Sequence, residues 1–340
     1  MFGRLKHHPQ TPSFEEDGAS KARNPLHPLV YARHNLLPLL FRGGGRGVVA
    51  AGAVLALTSA APPAALAPTI SPDIAAACGT RDGWSDPAPP QHIHGDSWYV
   101  GTCGITVVLV RTSAGLVLFD SGPADAAPLV LANIRSLGFD PKQVKWLFST
   151  HEHFDHAGGF AALQAATGAR LAVGPYAATA LRTGTPYADD PQFAGLQAHP
   201  MQPARVDRVL KHNQSLTVGG TRFTAYATPT HSPGSTSWTW QSCEQARCLT
   251  IALVDSVNTI SADAYRFSAH PDRVTAALIG LARIDRIPCG VLLTPHPSAS
   301  NLHERLAGRA PLADPAACRA YAQAGRERLG KRLASEQAAK

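Results

Sequence analysis

The chain has 340 residues and 44% hydrophobic content, enough for one large α/β domain or two smaller ones with a sizeable core. Its formal charge of +7 would suit nucleic acid or a membrane surface, but the distribution argues against both. Residues 1–46 hold seven Lys/Arg against three Asp/Glu and residues 304–340 hold eight against four, which leaves 47–303 at about −1, with no basic stripe interleaved with aromatics.

Gly47 to Leu57 is a short apolar segment with Arg42 and Arg46 before it and small residues and prolines after it, up to Ala67. That is the layout of a secretory signal peptide, too short for a membrane span. Residues 1–67 are therefore expected as an N-terminal extension and signal peptide. Its removal leaves a periplasmic protein with no stable membrane insertion. The Pro-rich residues 68–90 are expected as a linker and 91–340 as the working domain. Six cysteines with no CxxC pair fit disulfides in an oxidising compartment.

Gln91-His92-Ile93-His94 reads as a strand edge with exposed histidines, since no carboxylate is close in sequence. Three strands rich in Val, Leu and Ile follow, at Trp98–Gly101, Ile105–Arg111 and Gly115–Phe119, the last ending in Asp120-Ser121-Gly122. Ala124–Leu137 reads as a helix stopped by Gly138, and Val144–Ser149 as a buried strand. A helix over Phe160–Thr167, a strand over Leu171–Val173 and a short helix over Tyr176–Arg182 come next. Gly184–Pro203 is a loop long enough to be functional. Strands at Ser215–Val218 and Arg222–Tyr226 precede a hairpin of Trp238–Gln241 and Leu249–Val254, with Cys243 and Cys248 beside its turn. The spacing then predicts a loop over Asn258–Arg266, a helix over Arg273–Ile284, a strand over Gly290–Leu293 and a last helix over Cys318–Leu333.

The polar residues that stand out fall at strand ends. His151-Glu152-His153-Phe154-Asp155-His156 puts three histidines and two carboxylates into six positions. On an extended chain alternate side chains point the same way, so His151 and His153 can share one partner, while Asp155 and His156 serve a second. Imidazole with carboxylate suits zinc and similar cations. The expectation is a two-metal hydrolase, with Asp120, His231, Asp255 and His296 brought to the same edge.

The stretches Thr150–Gly159, His231-Ser232-Pro233-Gly234-Ser235-Thr236-Ser237-Trp238 and Leu293–Asn301 resemble subclass B3 of the metallo-β-lactamase superfamily. The resemblance covers roughly Pro90 to Leu333. It implies a four-layer αββα sandwich with the site at one edge of the two sheets. It implies two zinc ions, the first held by His151, His153 and His231, the second by Asp155, His156 and His296. It implies hydrolysis of β-lactams (penicillins, cephalosporins, carbapenems) by a metal-bound hydroxide that Asp155 orients, with no covalent acyl-enzyme. Ser256 and Asn258 would meet the substrate carboxylate, although Ser or Thr is commoner where Asn258 stands. Asp120 and Asp255 would support the ligands from behind. Glu152 should point away from them, toward supporting groups or solvent. An Asp255 that bridged the metals would instead mark a hydrolase of lactones, thioesters or phosphoesters. The resemblance also implies the pairs Cys78–Cys103, Cys243–Cys248 and Cys289–Cys318, and a monomer whose partner is a small molecule.

Overall fold

The structure, a computed structural model, describes residues 73–338; the expected N-terminal extension and signal peptide, 1–67, and the first residues of the expected linker lie outside them. Two sheets stack face to face. The first holds seven strands in sequence order: β1 (Gln91–His94), β2 (Ser97–Tyr99), β3 (Val108–Thr112), β4 (Gly115–Phe119), β5 (Val144–Phe148), β6 (Arg170–Val173) and β7 (Val206–Val209). The second runs in the order β12, β11, β10, β9, β8, from β8 (Ser215–Val218), β9 (Thr221–Ala227), β10 (Thr236–Glu244), β11 (Arg247–Leu253) and β12 (Val291–Leu293).

Strand side chains alternate between faces, and both faces of each sheet are covered here. In β4, Val117 and Phe119 enter the core between the sheets, while Leu116 and Leu118 face the outer layer. In β11, Ile251 and Leu253 face inward and Ala252 outward. This is why these strands read as unbroken apolar runs. The inner core is aromatic: Phe148 stacks on Trp238 with centroids 4.7 Å apart, and Phe119 stacks on Trp240 at the same distance.

The outer face of the first sheet carries α2 (Ala127–Ser136), α4 (Phe160–Thr167) and α5 (Pro175–Thr183). The outer face of the second carries α7 (Pro271–Ile284) and α9 (Ala317–Ala338). The order of layers is αββα. Short helices α1 (Ile74–Cys78), α3 (Phe154–Ala157), α6 (Phe193–Leu196) and α8 (Leu302–Leu306) are the other α-helices of the described residues. No helix among the described residues is long and apolar enough to cross a membrane.

Three expectations need correction. Residues 73–90 do not behave as a linker: Asp73 caps α1 through its side chain, and Ile74 is fully buried in the inner core. β7 was invisible because Val206-Asp207-Arg208-Val209 has two apolar ends around a charged pair, and it pairs only at the sheet edge with β6. His94 is buried, not exposed, and its Nδ1 lies 3.3 Å from Glu244, a carboxylate remote in sequence.

β4, β5 and β6 run parallel, as do β11 and β12. Their carboxyl ends therefore lie along one edge, the usual place for ligands in sheets of this kind. Disulfides join Cys78 to Cys103, Cys243 to Cys248 and Cys289 to Cys318. The last closes a 29-residue separation and ties the approach to β12 to α9. Replacing both Cys289 and Cys318 by Ser is expected to lower the unfolding free energy by about 2–4 kcal/mol. Denaturant titration checks this, and an unchanged midpoint would show that the bridge constrains nothing.

Candidate active site

The site begins where β5 ends. Ser149 and Thr150 continue the strand and are held from both sheets. Trp238 Nε1 donates to the Ser149 carbonyl at 2.9 Å, and the Thr236 amide donates to the Thr150 carbonyl at 2.7 Å. Asp120, at the end of neighbouring β4, accepts from the Thr150 amide and the Thr150 hydroxyl, both at 2.7 Å. Asp120 has φ of 60°, a left-handed backbone conformation that few residues other than glycine adopt and that Asp tolerates better than most. These bonds hold the next residues, His151 and His153, in register.

His153 then starts a tight turn. Its carbonyl accepts from the amides of His156 and Ala157, and α3 turns Asp155 and His156 inward. His231 comes from the loop between β9 and β10. Glu152 reaches across to that loop, accepting from Ser232 Oγ at 3.0 Å and the Gly234 amide at 2.9 Å. A Cβ on Gly234 would collide with the Glu152 carboxylate and stand 2.8 Å from the Ala177 backbone nitrogen, which cannot give way as a side chain can, so this position requires glycine. Of the two places open to Glu152, the structure selects the supporting one. His296 follows β12.

Each histidine turns one ring nitrogen toward a protein oxygen, four of them in a hydrogen bond. His151 Nδ1 donates to Asp255 Oδ1 at 2.9 Å, and His153 Nε2 to Asp190 Oδ2 at 2.9 Å. His231 Nδ1 donates to the Asn258 carbonyl at 3.2 Å, and His296 Nδ1 to the Gly104 carbonyl at 3.1 Å. His156 Nδ1 stands 3.5 Å from Asp120 Oδ2, an ion-pair separation. Carboxylates and carbonyls only accept, so each bond places a proton on that nitrogen and turns the other toward the site.

The free atoms converge. Asp155 Oδ2 lies 3.1 Å from His156 Nε2 and 3.4 Å from His296 Nε2, and the two nitrogens are 3.2 Å apart. Donor atoms of His151, His153 and His231 lie within 4.8 Å of one another, and so do those of His151, Asp155 and His156. His151 Nε2 is buried with no protein partner. His151 and His156 are fully buried, whereas the His296 side chain is 25% exposed, so the site opens at His296.

The electrostatics follow from burial. Burial lowers the His231 pKa to about 3, helped by His153 and His151. It also drives His151 well below its usual value, with His156 and His153 adding to the effect. Burial disfavours the His156 cation as well, but Asp155 and Asp120 outweigh it and raise that pKa to about 10. His153 is likewise raised, Asp190 prevailing over burial. Burial resists ionisation of Asp155 too, and His156 reverses this to hold its pKa far below the carboxylate range. Burial raises Asp120 and Asp255, and it lifts Glu152 to about 7. Carboxylates and imidazoles buried this closely are costly unless paired with charge or metal.

The substrate-contact candidates are placed unequally. Ser256 is 2% exposed, directly after Asp255, while the partly exposed Asn258 meets His231 through its backbone carbonyl. Several residues of the site carried no signal in the sequence. Asp190 and Gln192 sit in the Gly184–Pro203 loop; Gln192 Nε2 donates to His231 Nε2 at 3.3 Å, and the Ala262 amide donates to the intervening Pro191 carbonyl. Trp84, from the supposed linker, packs edge-on against Phe154 at 5.5 Å and lies 6.2 Å from His296. Phe154 in turn stacks on His199.

An αββα sandwich with two convergent His/Asp donor sets at one sheet edge defines a metallohydrolase. Comparison with known proteins gives the family. Residues 100–244 match the family model described as the metallo-beta-lactamase superfamily. MIM-1 from Novosphingobium pentaromativorans is 55% identical over 78% of this chain and 98% of its own, with a TM-score of 0.77. SMB-1, solved with 2-mercaptoethanesulfonate bound, is 39% identical over 75% of this chain and 99% of its own, with a TM-score of 0.70. BJP-1, a subclass B3 enzyme of Bradyrhizobium japonicum, is 30% identical over 75% and 97%, with a TM-score of 0.69. The chain belongs to the metallo-β-lactamase superfamily, alongside subclass B3, and is a hydrolase.

The carboxylate of Asp190 is the outer support of His153. Asp190→Ala is expected to weaken metal binding by about 10–100-fold, measured by competition with a chromophoric chelator. Unchanged affinity would mean that His153 is oriented without it.

Proposed function

We propose that this chain hydrolyses the β-lactam amide bond with two zinc ions and so confers resistance to penicillins, cephalosporins and carbapenems. His151, His153 and His231 would hold the first ion, and Asp155, His156 and His296 the second. The observation that carries this reading is the Asp155–His156–His296 triangle, with edges of 3.1, 3.2 and 3.4 Å. One face of a tetrahedron with bonds of about 2.0–2.1 Å has edges of about 3.3 Å. Imidazoles freed at one nitrogen, with a carboxylate held ionised, are the donors zinc prefers. Bound there, zinc supplies Lewis acidity and lowers the pKa of water to about 7.

The protein's own residues do the rest. Asp155 completes the second donor set and orients the attacking water toward the carbonyl. Asp120, Asp190 and Asp255 hold the rings in place from behind. Trp84, 6.2 Å from His296, puts an apolar ring at the rim of the site. Asn258 and Ser256 are the candidates for the substrate carboxylate, and Asn258 is the one solvent reaches. No serine is poised as a nucleophile in the His231 loop: Ser232 Oγ donates to Glu152, and the Ser232 and Ser235 hydroxyls lie 3.1 Å apart. Asp255 turns Oδ1 to the outer nitrogen of His151 and belongs to neither convergent donor set, which does not favour the bridging role that lactone, thioester or phosphoester hydrolysis would need.

Export to the periplasm is part of the proposal, supported by three disulfides, which persist in oxidising compartments. The donor sets come from a single chain, in keeping with a monomer.

The test is hydrolysis of imipenem, a cephalosporin and a penicillin by the purified protein. Turnover is expected with zinc, its loss on chelation, and its return when zinc is restored. Zinc-loaded protein that turns over none of the three would overturn the reading.

A further inference from the structure

Three positions of α7 meet the segment that leads into His231. Arg273 and Gly280 are seven residues apart, two turns along one face, and Arg283 is three further on, again a neighbour on that face. Arg273 Nη1 donates to the Pro229 carbonyl at 2.6 Å, and Nη2 donates to the Thr230 carbonyl at 2.8 Å. Gly280 lets the segment lie flush on the helix: a Cβ there would stand 2.5 Å from Thr230 Oγ1 and 3.0 Å from the Pro229 nitrogen. Arg283 Nη1 donates to the Ala227 carbonyl at 2.8 Å.

Arg273 is the buried member of this stripe, at 9% exposure. A buried guanidinium that spans two successive carbonyls uses the fixed fork of arginine, and lysine cannot reproduce it. The loop around His231 is thus gripped on every side. Arg273 holds the two residues before the histidine, Glu152 holds two residues after it, and the Asn258 carbonyl holds its ring. Burial lowers the Arg273 pKa, and the charges of Asp190 and Glu152, with Tyr265, oppose that shift. The same two carboxylates support His153 and the His231 loop. Arg273 also lines a cavity of about 530 Å³ with Tyr176, Pro229, Pro233, Tyr265 and Pro271. A small cation could enter there in place of a shortened side chain.

We propose that Arg273 is a positioning residue for His231. By fixing the Pro229 and Thr230 carbonyls it sets where the imidazole stands. It thereby tunes the His151–His153–His231 donor set without acting on the Asp155–His156–His296 set. The inference rests on the reading of His231 as a metal ligand.

Cobalt titration of the chelator-stripped full chain, followed by visible absorption, reads the two sites separately. His231→Ala and His296→Ala provide the reference spectra of each site alone. Wild type is expected to take up two equivalents. Arg273→Ala is expected to bind the His231-dependent equivalent about 10–100-fold more weakly and the His296-dependent one as wild type does. Arg273→Lys falls between. Millimolar methylguanidinium restores the weakened equivalent in Arg273→Ala and changes nothing in wild type. Equal weakening of both equivalents, or of neither, overturns the proposal, and so does a failure of methylguanidinium to rescue. If Arg273→Ala does not fold, Arg273→Lys decides by the same comparison: selective weakening supports the proposal, and equal or absent weakening overturns it. A wild-type chain that binds no cobalt overturns the metal-site reading itself, a result distinct from an unselective Arg273 effect.

Discussion

Each histidine of the site gives up one ring nitrogen to an oxygen of the surrounding protein, and that commitment decides everything the other nitrogen can do. Asp255, Asp190 and Asp120 stand behind His151, His153 and His156. The carbonyls of Asn258 and Gly104 stand behind His231 and His296. The five outer groups come from four places in the chain, Asp255 and Asn258 sharing the loop after β11. The donor sets could not keep their geometry unless the whole edge of the sandwich were rigid.

The aromatic core supplies that rigidity. Phe148 and Phe119 end the two strands that deliver the His-x-His motif and Asp120, and they stack on Trp238 and Trp240 of the opposite sheet. Trp238 also donates to the Ser149 carbonyl, so one side chain both packs the core and sets the height of the metal-binding stretch. Helix α7 performs the matching service on the far side, where Gly280 and Arg273 seat the residues before His231. The site is a joint between two sheets rather than a property of one loop.

The fold and the site were legible to different degrees. Buried strands such as Val144–Phe148 and Gly115–Phe119 stood out because apolar cover on both faces leaves a continuous run. The His151–His156 cluster stood out because four donors fall within six positions. The strand-end positions of His231 and His296 bring them to the same edge, but their role as ligands came from resemblance, since a lone histidine in a Pro/Gly loop is not otherwise distinguishable from a packed one. Asp190 could not be read at all. It sits in a polar loop of no period, and only the fold brings its carboxylate to a ring 37 residues away in sequence. Trp84 was hidden by its Pro-rich surroundings, which suggest a tether where the chain in fact forms part of the site's rim. Glu152 was placed only as far as pointing away from the ligands; its contact with Gly234 depends on how the second sheet docks.

Anomalous diffraction at the zinc edge, on crystals of the zinc-loaded protein, tests the central claim most directly. Two peaks are expected. One should be bonded to His151 Nε2, His153 Nδ1 and His231 Nε2, and the other to Asp155, His156 Nε2 and His296 Nε2, with each remaining nitrogen still facing its protein oxygen. A single peak, or bonds through the nitrogens assigned to Asp255, Asp190 and the Asn258 carbonyl, would contradict the account.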